Sequence, residues 1–350
     1  MELSIIIFLL GGLFLGWSLG ANDAANVFGT AVGTRMMRFR TAAIICSIFV
    51  ILGAIISGSG TTETLGKLGA INALPGAFAA CVAAGLSVYL MTRFGLPVST
   101  TQAIVGAIVG WNIYTGSSTN TKILITILST WVLCPIIAGL IAMFFYVLAK
   151  KFIHSSKLHI LRLDAYTRTA LILAGAFGAY SLGANNIANV MGVFVPISPF
   201  TDINVMNIFI FSSKEQLFLL GGIAIAIGVF TYSRRVMFTV GNDLSKMSPV
   251  AAFIVVISHS IVLFLFASQG ISNFLQSINL PSIPLVPVSS SQAVVGAVIG
   301  IGLLKGGKEV RWSVAGKISL GWVTLPVIAA LMSFMILFIL QNIFNLTVNF

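Results

Sequence analysis

The segment that decides the fold is Ser18-Leu19-Gly20-Ala21-Asn22-Asp23-Ala24-Ala25-Asn26, a polar phrase within a long apolar stretch of chain. The same phrase returns as Ser181-Leu182-Gly183-Ala184-Asn185-Asn186-Ile187-Ala188-Asn189. Amides and carboxylates inside apolar segments are rare, and they mark ion or substrate pathways. Two copies, one in each half of the chain, therefore predict a site assembled from two related halves.

The composition around these phrases is that of a membrane protein. The chain has 350 residues, of which 58% are hydrophobic and 8% charged, whereas soluble domains carry roughly 25% charged residues. A membrane helix needs about 20 apolar residues. Apolar runs occupy residues 3–19, 41–57, 72–92, 123–149, 169–182, 216–232, 250–268 and 313–340. We predict an all-α, multi-pass protein of the cell membrane, embedded in the lipid bilayer.

The net charge of +11 and the three cysteines have ordinary explanations in such a protein. Basic residues in the links between helices orient a membrane protein, so we expect no nucleic-acid partner. Cys46, Cys81 and Cys134 lie in apolar runs without a metal-ligand spacing. The chain has no recognisable nucleophile–base set, Walker loop or His-x-x-His pattern. We predict that the protein is not an enzyme and has no cofactor.

Two further blocks repeat in the same order as the polar phrase. Pro97-Val98-Ser99-Thr100-Thr101-Gln102 returns as Pro287-Val288-Ser289-Ser290-Ser291-Gln292. Trp131-Val132-Leu133-Cys134-Pro135 returns as Trp322-Val323-Thr324-Leu325-Pro326. Self-similarity over a long period indicates a fold built from duplicated units. We predict two repeats, residues 1–155 and 156–350.

Basic residues predict how the repeats are oriented. With Met1 outside and about five crossings per repeat, 16 of the 19 Lys and Arg residues fall inside, which is the positive-inside pattern. The three outside are Lys67, Lys122 and Lys214; those inside are Arg35, Arg38, Arg40, Arg93, Lys150, Lys151, Lys157, Arg162, Arg168, Arg234, Arg235, Lys246, Lys305, Lys308, Arg311 and Lys317. An odd number of crossings inverts the second repeat, as in many secondary transporters. We therefore predict two inverted repeats with broken or re-entrant helices, roughly 10–12 helical segments in all.

The polar phrases have the composition of a cation site. Gly20 and Gly183 tolerate unusual backbone angles, and Asn and Asp disfavour helix interiors, so we expect both helices to break here. Carboxylate, amide and freed carbonyl oxygens suit a hard cation such as Na+. Hydrogen bonding between helices is the alternative use of these amides. The predicted Na+ ligands are Asn22, Asp23, Asn26, Asn185, Asn186 and Asn189.

The Pro-Val-Ser blocks have the composition of an anion site. Ser and Thr are favoured at helix N-caps and Pro near the first turn, so each block predicts a helix start. A helix N-terminus presents N–H groups and a positive dipole end, which attract anions. Ordinary capping of two short helices is the alternative. The predicted oxyanion ligands are Thr100, Thr101, Gln102, Ser290, Ser291 and Gln292.

The charge inventory links the two sites. Asp23 lies in the first polar phrase at the depth of the membrane, whereas no Lys or Arg is expected at that depth. An oxyanion such as HPO4 2− beside an ionised Asp23 would place three negative charges together, and helix dipoles supply only fractions of a charge. Binding of such an anion requires mobile cations, which predicts cation-coupled transport.

The doubled phrase, Gly20–Asn26 and Gly183–Asn189, resembles the signature of the inorganic phosphate transporter (PiT) family. The Pro-Val-Ser-x-x-Gln blocks resemble that family's Pro-x-Ser-x-x-His/Gln segments. The resemblance implies Na+- or H+-driven symport of inorganic phosphate. It also implies phosphate held between the two Ser/Thr-Gln segments and cations near the two Asn clusters. Residues 76–90 and 251–258, where animal members carry further acids, hold none here, which favours Na+.

Several alternatives stay open at this point. A sulfate or other oxyanion permease and a proton-coupled phosphate carrier would share this architecture. An anion channel or a membrane enzyme acting on a phosphate ester would use the same polar residues differently. The oligomeric state is also open, with a homodimer as one option. Glu63 and Asp243 are expected at solvated helix ends, and His259 is expected to be a satisfied buried side chain rather than a proton relay.

Overall fold

The computed structural model describes residues 3–69, 71–94, 97–156, 159–205, 209–238, 247–308 and 310–350. Asp243, Lys157 and Lys246, which were predicted at the inner face, lie outside these ranges. The described chain is helical apart from its links and one short pair of strands. Within the described residues, 8 helical segments are long and apolar enough to cross a membrane. The chain is therefore a multi-pass membrane protein, as its composition predicts.

The first half of the chain forms seven of the helices. They are α1 (Leu3–Asn22), α2 (Ala24–Gly33), α3 (Phe39–Ser57), α4 (Ser59–Gly66), α5 (Leu74–Arg93), α6 (Thr100–Thr115) and α7 (Thr121–Ser155). Asn120 caps α7, because its side-chain oxygen accepts a hydrogen bond from the N–H of Ile123 at 3.2 Å. The α2, α4 and α6 segments are short, so the long helices α1, α3, α5 and α7 set the thickness of the structure.

The second half begins with α8 (Ile160–Met191), a 3-10 turn (Gly192–Ile197) and the antiparallel strands β1 (Ile203–Val205) and β2 (Phe209–Phe211). It continues with α9 (Ser213–Tyr232), α10 (Arg234–Phe238), α11 (Pro249–Ala267), α12 (Gln269–Ser277), α13 (Ser290–Leu304) and α14 (Trp312–Asn342). Ser212 and Glu215 form a capping box at the start of α9. Helix α12 is a short helix of 9 residues between α11 and α13.

The two halves interlock through pairs of equivalent contacts. Helix α1 packs against α9, as α8 packs against α3, and α6 packs against α14, as α13 packs against α7. A Cβ built on Gly20 would overlap the carbonyl oxygen of Ile225, and one built on Gly183 would overlap that of Val50. Small residues allow this backbone-to-backbone packing of membrane helices. The division at residues 155 and 156 stays a prediction, because interlocked packing defines no boundary in space.

Equivalent helices run in opposite directions. Gly106 and Gly110 of α6 lie against Pro326 and Ala330 of α14 in the same order, so α6 and α14 are parallel. The equivalent glycines of α13 make α13 and α7 parallel by the same contacts. Helices α6 and α7 are successive membrane elements joined by the short link 116–120, so they run oppositely. Helix α13 therefore runs opposite to α6, as inverted repeats require.

Residues predicted for one face of the membrane also meet in space. At the predicted inner face, Arg168 donates to the Met36 carbonyl at 3.0 Å. At the predicted outer face, the Lys214 ammonium lies 3.9 Å from the Glu63 carboxylate. These contacts join distant parts of the sequence without mixing the two predicted faces.

The polar phrases behave differently in the two halves. The first is interrupted at Asp23, where α1 ends and α2 begins, but α8 continues through Asn185, Asn186 and Asn189 without a break. The expectation of two broken helices is therefore wrong for the second copy. The described glycines with positive φ are Gly116, Gly306 and Gly307. Gly20 and Gly183 instead serve close packing between helices.

Two connecting segments add structure between the apolar runs. The polar segment 150–168 is largely helical, because α7 extends to Ser155 and α8 begins at Ile160. The strand pair β1–β2 lies between the 3-10 turn and α9 and was not predicted. Its three-residue strands are too short for alternation of apolar and polar residues to show in the sequence.

Candidate functional site

The starts of α6 and α13 come together in the interior. Ser99 and Ser289 cap these helices, because each side-chain oxygen accepts a hydrogen bond from the backbone N–H of the Gln three residues later. The Thr101 hydroxyl donates to the Val288 carbonyl at 3.2 Å, which joins the two starts across the repeats. The Pro-Val-Ser blocks are therefore paired helix N-termini, one from each repeat.

The first Asn of each polar phrase holds the extended chain ahead of a helix start. Asn22 Oδ1 accepts from the Val98 N–H at 3.1 Å, and Asn185 Oδ1 accepts from the Val288 N–H at 2.8 Å. Asn22 also donates to Thr92 Oγ1 at 2.7 Å, and Asn185 donates to two backbone carbonyls. These two predicted Na+ ligands thus hold the Pro-Val-Ser blocks in place, a role that the sequence did not indicate.

Asp23 is bonded to both helix starts. Thr100, the first residue of α6, donates its hydroxyl to Asp23 Oδ2. Ser290, the first residue of α13, donates to the Asp23 carbonyl oxygen at 3.4 Å. A carboxylate beside a helix N-terminus is electrostatically favourable. The other carboxylate oxygen, Oδ1, is buried and has no hydrogen-bond partner among the described residues.

The last Asn of each phrase donates across the repeats. Asn26 Nδ2 donates to Ser290 Oγ at 3.2 Å, and Asn189 Nδ2 donates to Thr101 Oγ1 at 2.9 Å. Their Oδ1 atoms are buried without a partner in the described chain, as are both amide atoms of Asn186. Buried polar atoms are normally paired. Carboxylate and carbonyl oxygens of this kind are the ligands that hard cations prefer.

The two glutamines lie in the first turns of the paired helices. Gln102 and Gln292 are buried, and the Oε1 atom of each has no partner within the described ranges. Ser291 Oγ shares a hydrogen bond with Ser289 Oγ at 3.1 Å. Thr100 and Ser290, by contrast, are bonded to Asp23, so they connect the predicted anion and cation sites.

Burial and charge set this site apart from the rest of the molecule. The twelve predicted ligands are each at most 3% exposed, so the site is closed to both faces. Asp23 is the one buried acidic residue in the described part of the chain, which contains no buried Lys or Arg. The described residues therefore show in three dimensions what the sequence indicates, a lone buried acid without a buried basic residue.

His259 lies in the site, which the sequence analysis did not predict. This fully buried residue of α11 places Nε2 at 2.9 Å from Ser290 Oγ. No repeated motif contains it, and the available signal was one ionisable residue in an apolar helix. Glu63, by contrast, is a solvated helix end, because its side chain is 59% exposed.

Comparison with known proteins gives one consistent answer. The profile of the phosphate transporter family matches residues 19–273 and 277–349. A candidate phosphate permease of Methanocaldococcus jannaschii is 30% identical over 338 residues, covering 96% of this chain and 98% of that protein. Another, from Pyrococcus horikoshii, is 28% identical and covers 92% and 94% of the two chains.

A solved structure is similar over almost the whole chain. It is described as the sodium-dependent phosphate transporter, with a TM-score of 0.77 and 25% sequence identity, and the match covers 97% of this chain and 99% of that one. The family match and the named relatives agree on phosphate transport. The chain belongs to the phosphate transporter family.

Proposed function

We propose that the protein is a Na+-coupled symporter that carries inorganic phosphate across the cell membrane by alternating access. The observation that carries the proposal is a lone buried carboxylate, Asp23, between two helix N-termini in a site with no buried Lys or Arg among the described residues. Such a site disfavours a multivalent anion alone and favours it together with cations.

Phosphate would lie at the starts of α6 and α13. Helix N-termini bind oxyanions through backbone N–H groups and the positive end of the dipole. The hydroxyls of Thr101 and Ser291 and the amides of Gln102 and Gln292 stand in the first turns of both helices. These groups are neutral, so they can hydrogen bond a phosphate oxygen without balancing its charge.

Na+ would lie among the buried oxygens of the Asn clusters. The Oδ1 atoms of Asp23, Asn26, Asn186 and Asn189 lack hydrogen-bond partners in the described chain. The sodium dependence named for the structurally similar transporter supports the choice of Na+.

Asp23 would couple the two substrates mechanically as well as electrostatically. Its carboxylate holds Thr100 at the start of α6, and its carbonyl holds Ser290 at the start of α13. A cation bound to Asp23 would therefore fix both phosphate-binding turns. The inverted repeats supply two equivalent gates around this closed site, as alternating access requires.

Uptake of radiolabelled phosphate into proteoliposomes tests this function. An inward Na+ gradient should drive phosphate above its equilibrium concentration at constant pH, and sulfate should not compete. Accumulation driven by a pH gradient alone would replace Na+ with H+, an outcome to which the buried His259 gives weight. Equilibration without accumulation would make the protein a channel.

A further inference from the structure

His259 is the histidine that the fold sets apart from the others. Of the three histidines in the chain, His154 and His159 are exposed near the link between α7 and α8. His259 is fully buried, with Nε2 at 2.9 Å from the hydroxyl of Ser290. Because Ser290 is the first residue of α13, His259 contacts one of the two turns that join the predicted phosphate and Na+ ligands.

The hydrogen bonds of Ser290 determine what His259 must do. A serine hydroxyl donates one hydrogen and accepts with two lone pairs. Asn26 Nδ2 donates to it at 3.2 Å, and the Asp23 carbonyl accepts from it at 3.4 Å. All three contacts of the Ser290 hydroxyl are satisfied when His259 carries its hydrogen on Nε2 and donates to Ser290. The Nδ1 atom, which is buried without a partner among the described residues, then carries no hydrogen. With the hydrogen on Nδ1, Nε2 and the Asp23 carbonyl would compete for the single hydroxyl hydrogen.

Comparison of the repeats shows that Ser290 does not bond the residue that corresponds to the partner of Thr100. Thr100 corresponds to Ser290, and Asp23 corresponds to Asn186. Thr100 bonds Asp23 within its own repeat, but Ser290 bonds Asn26 and Asp23 of the opposite repeat. Asn186 is left with neither amide atom paired among the described residues.

We propose that His259 is a positioning residue that holds Ser290 on the cation cluster of the first repeat, so that cation binding is transmitted to α13. The inference rests on the proposed function, because the link it describes joins the predicted Na+ ligands to the predicted phosphate ligands. Asp23 reaches α6 directly through Thr100 but reaches α13 through a hydroxyl that His259 orients. Without this donor, the Ser290 hydroxyl loses one of the three hydrogen bonds that fix its direction.

Two substitutions separate the Nε2 donor from the bulk of the side chain. In His259→Gln the amide nitrogen can occupy the place of Nε2, whereas in His259→Asn it falls nearer the place of Nδ1. Ser260→Ala is the matched control, because Ser260 is adjacent and fully buried but donates to the Ala174 and Val256 carbonyls instead. Calorimetry would give the phosphate Kd at low and high Na+, with choline keeping the ionic strength constant.

The ratio of these two Kd values measures the coupling. A single neutral hydrogen bond is worth about 1 kcal/mol, so His259→Asn should reduce the ratio roughly 5-fold. His259→Gln and Ser260→Ala should keep the wild-type ratio. A folded His259→Asn protein with the wild-type ratio overturns the inference, and so does an equal loss in His259→Gln. A wild-type ratio of one would instead contradict Na+ coupling, and a second measurement then decides about His259.

That measurement is nitrogen NMR of protein labelled at its histidines. Ring nitrogen shifts distinguish the Nε2–H tautomer from the Nδ1–H tautomer, and the two exposed histidines are assigned with His154→Asn and His159→Asn. We expect the buried histidine to be the Nε2–H tautomer and its signals to move in Ser290→Ala. An Nδ1–H tautomer overturns the inference whether or not Na+ drives transport. Ring nitrogen shifts of His259 that are unchanged in Ser290→Ala also overturn it.

Discussion

Asp23 carries the buried negative charge of the site and also connects the two helix starts. Its carboxylate is the one buried acidic group in the described chain and accepts from Thr100 at the start of α6. Its backbone carbonyl oxygen accepts from Ser290 at the start of α13. Asn186, its counterpart in the second repeat, is neutral. The two repeats therefore supply unequal charge to a site that is otherwise built from equivalent residues.

Asp23→Asn keeps the shape of the side chain and removes its charge. We expect Na+-driven uptake to be lost and the residual phosphate binding to depend less steeply on Na+, because the main cation ligand is gone. By linkage, phosphate must then raise Na+ affinity by an equally reduced factor. Calorimetry across a Na+ series measures both. Asp164→Asn, at an exposed residue of α8, is the control and should keep the wild-type slope.

The predicted anion ligands can be tested separately from the cation ligands. Gln102→Ala and Gln292→Ala, and likewise Thr101→Ala and Ser291→Ala, should each weaken phosphate binding. A hydrogen bond to a charged group is worth about 1.5–3 kcal/mol, so the loss should be roughly 10- to 150-fold in Kd. Gln276→Ala, on the exposed side of α12, should leave the Kd unchanged. Wild-type affinity in all four variants would place phosphate elsewhere.

Sequence patterns predicted which polar residues meet in the interior because those residues are repeated. The doubled phrases bring Asp23, Asn26 and Asn189 into contact with the doubled Pro-Val-Ser blocks, as the pattern predicts. His259 stands outside any repeat, and its contact with Ser290 depends on how α11 packs beside α13. Such a contact is tertiary, so neither periodicity nor motif spacing could indicate it.

At the scale of elements, apolar length predicted the long helices to within a few residues, except α8, which extends well beyond its apolar run. Local composition predicted the structural role of the glycines less well. Glycine suits a helix break and a helix crossing equally, and only the packing partners distinguish these uses. In this fold Gly20, Gly106, Gly183 and Gly296 each face a backbone carbonyl of a neighbouring helix.

Gly106→Ala tests whether the packing of α6 against α14 requires direct contact between their backbones. The added Cβ would overlap the Pro326 carbonyl oxygen in a backbone-to-backbone contact that cannot relax locally. Overpacking of this kind costs about 1–3 kcal/mol, so the melting temperature in detergent should fall. Gly316→Ala is the matched control in α14, because nothing lies within 4 Å of its added Cβ. That change should stabilise the helix by about 0.5–1 kcal/mol; equal melting temperatures for the two variants would contradict the crossing.

At the scale of the whole molecule, two independent features give the same arrangement. Helix packing makes α13 antiparallel to α6, and the distribution of Lys and Arg predicts that the second repeat enters from the opposite face. The site lies where the repeats interlock and is closed to both faces. Under the proposed function, equivalent elements from opposite faces would open it alternately while the ligands stay in place.

Opposite orientation makes a prediction about surface positions near the starts of the equivalent helices α7 and α14. Ser118 lies just before α7 and Ser313 lies in the first turn of α14, and both are exposed. Because the repeats are inverted, cysteines at these two positions should react with an impermeant maleimide from opposite sides of the membrane, Ser118→Cys from outside. Cys46, Cys81 and Cys134 are fully buried, so the wild-type chain should give little background. Ser155→Cys, at the inner end of α7, should label from the same side as Ser313→Cys. Labelling of Ser118→Cys and Ser313→Cys from one side would contradict the inverted arrangement, whereas reversal of all three would preserve it and place Met1 inside.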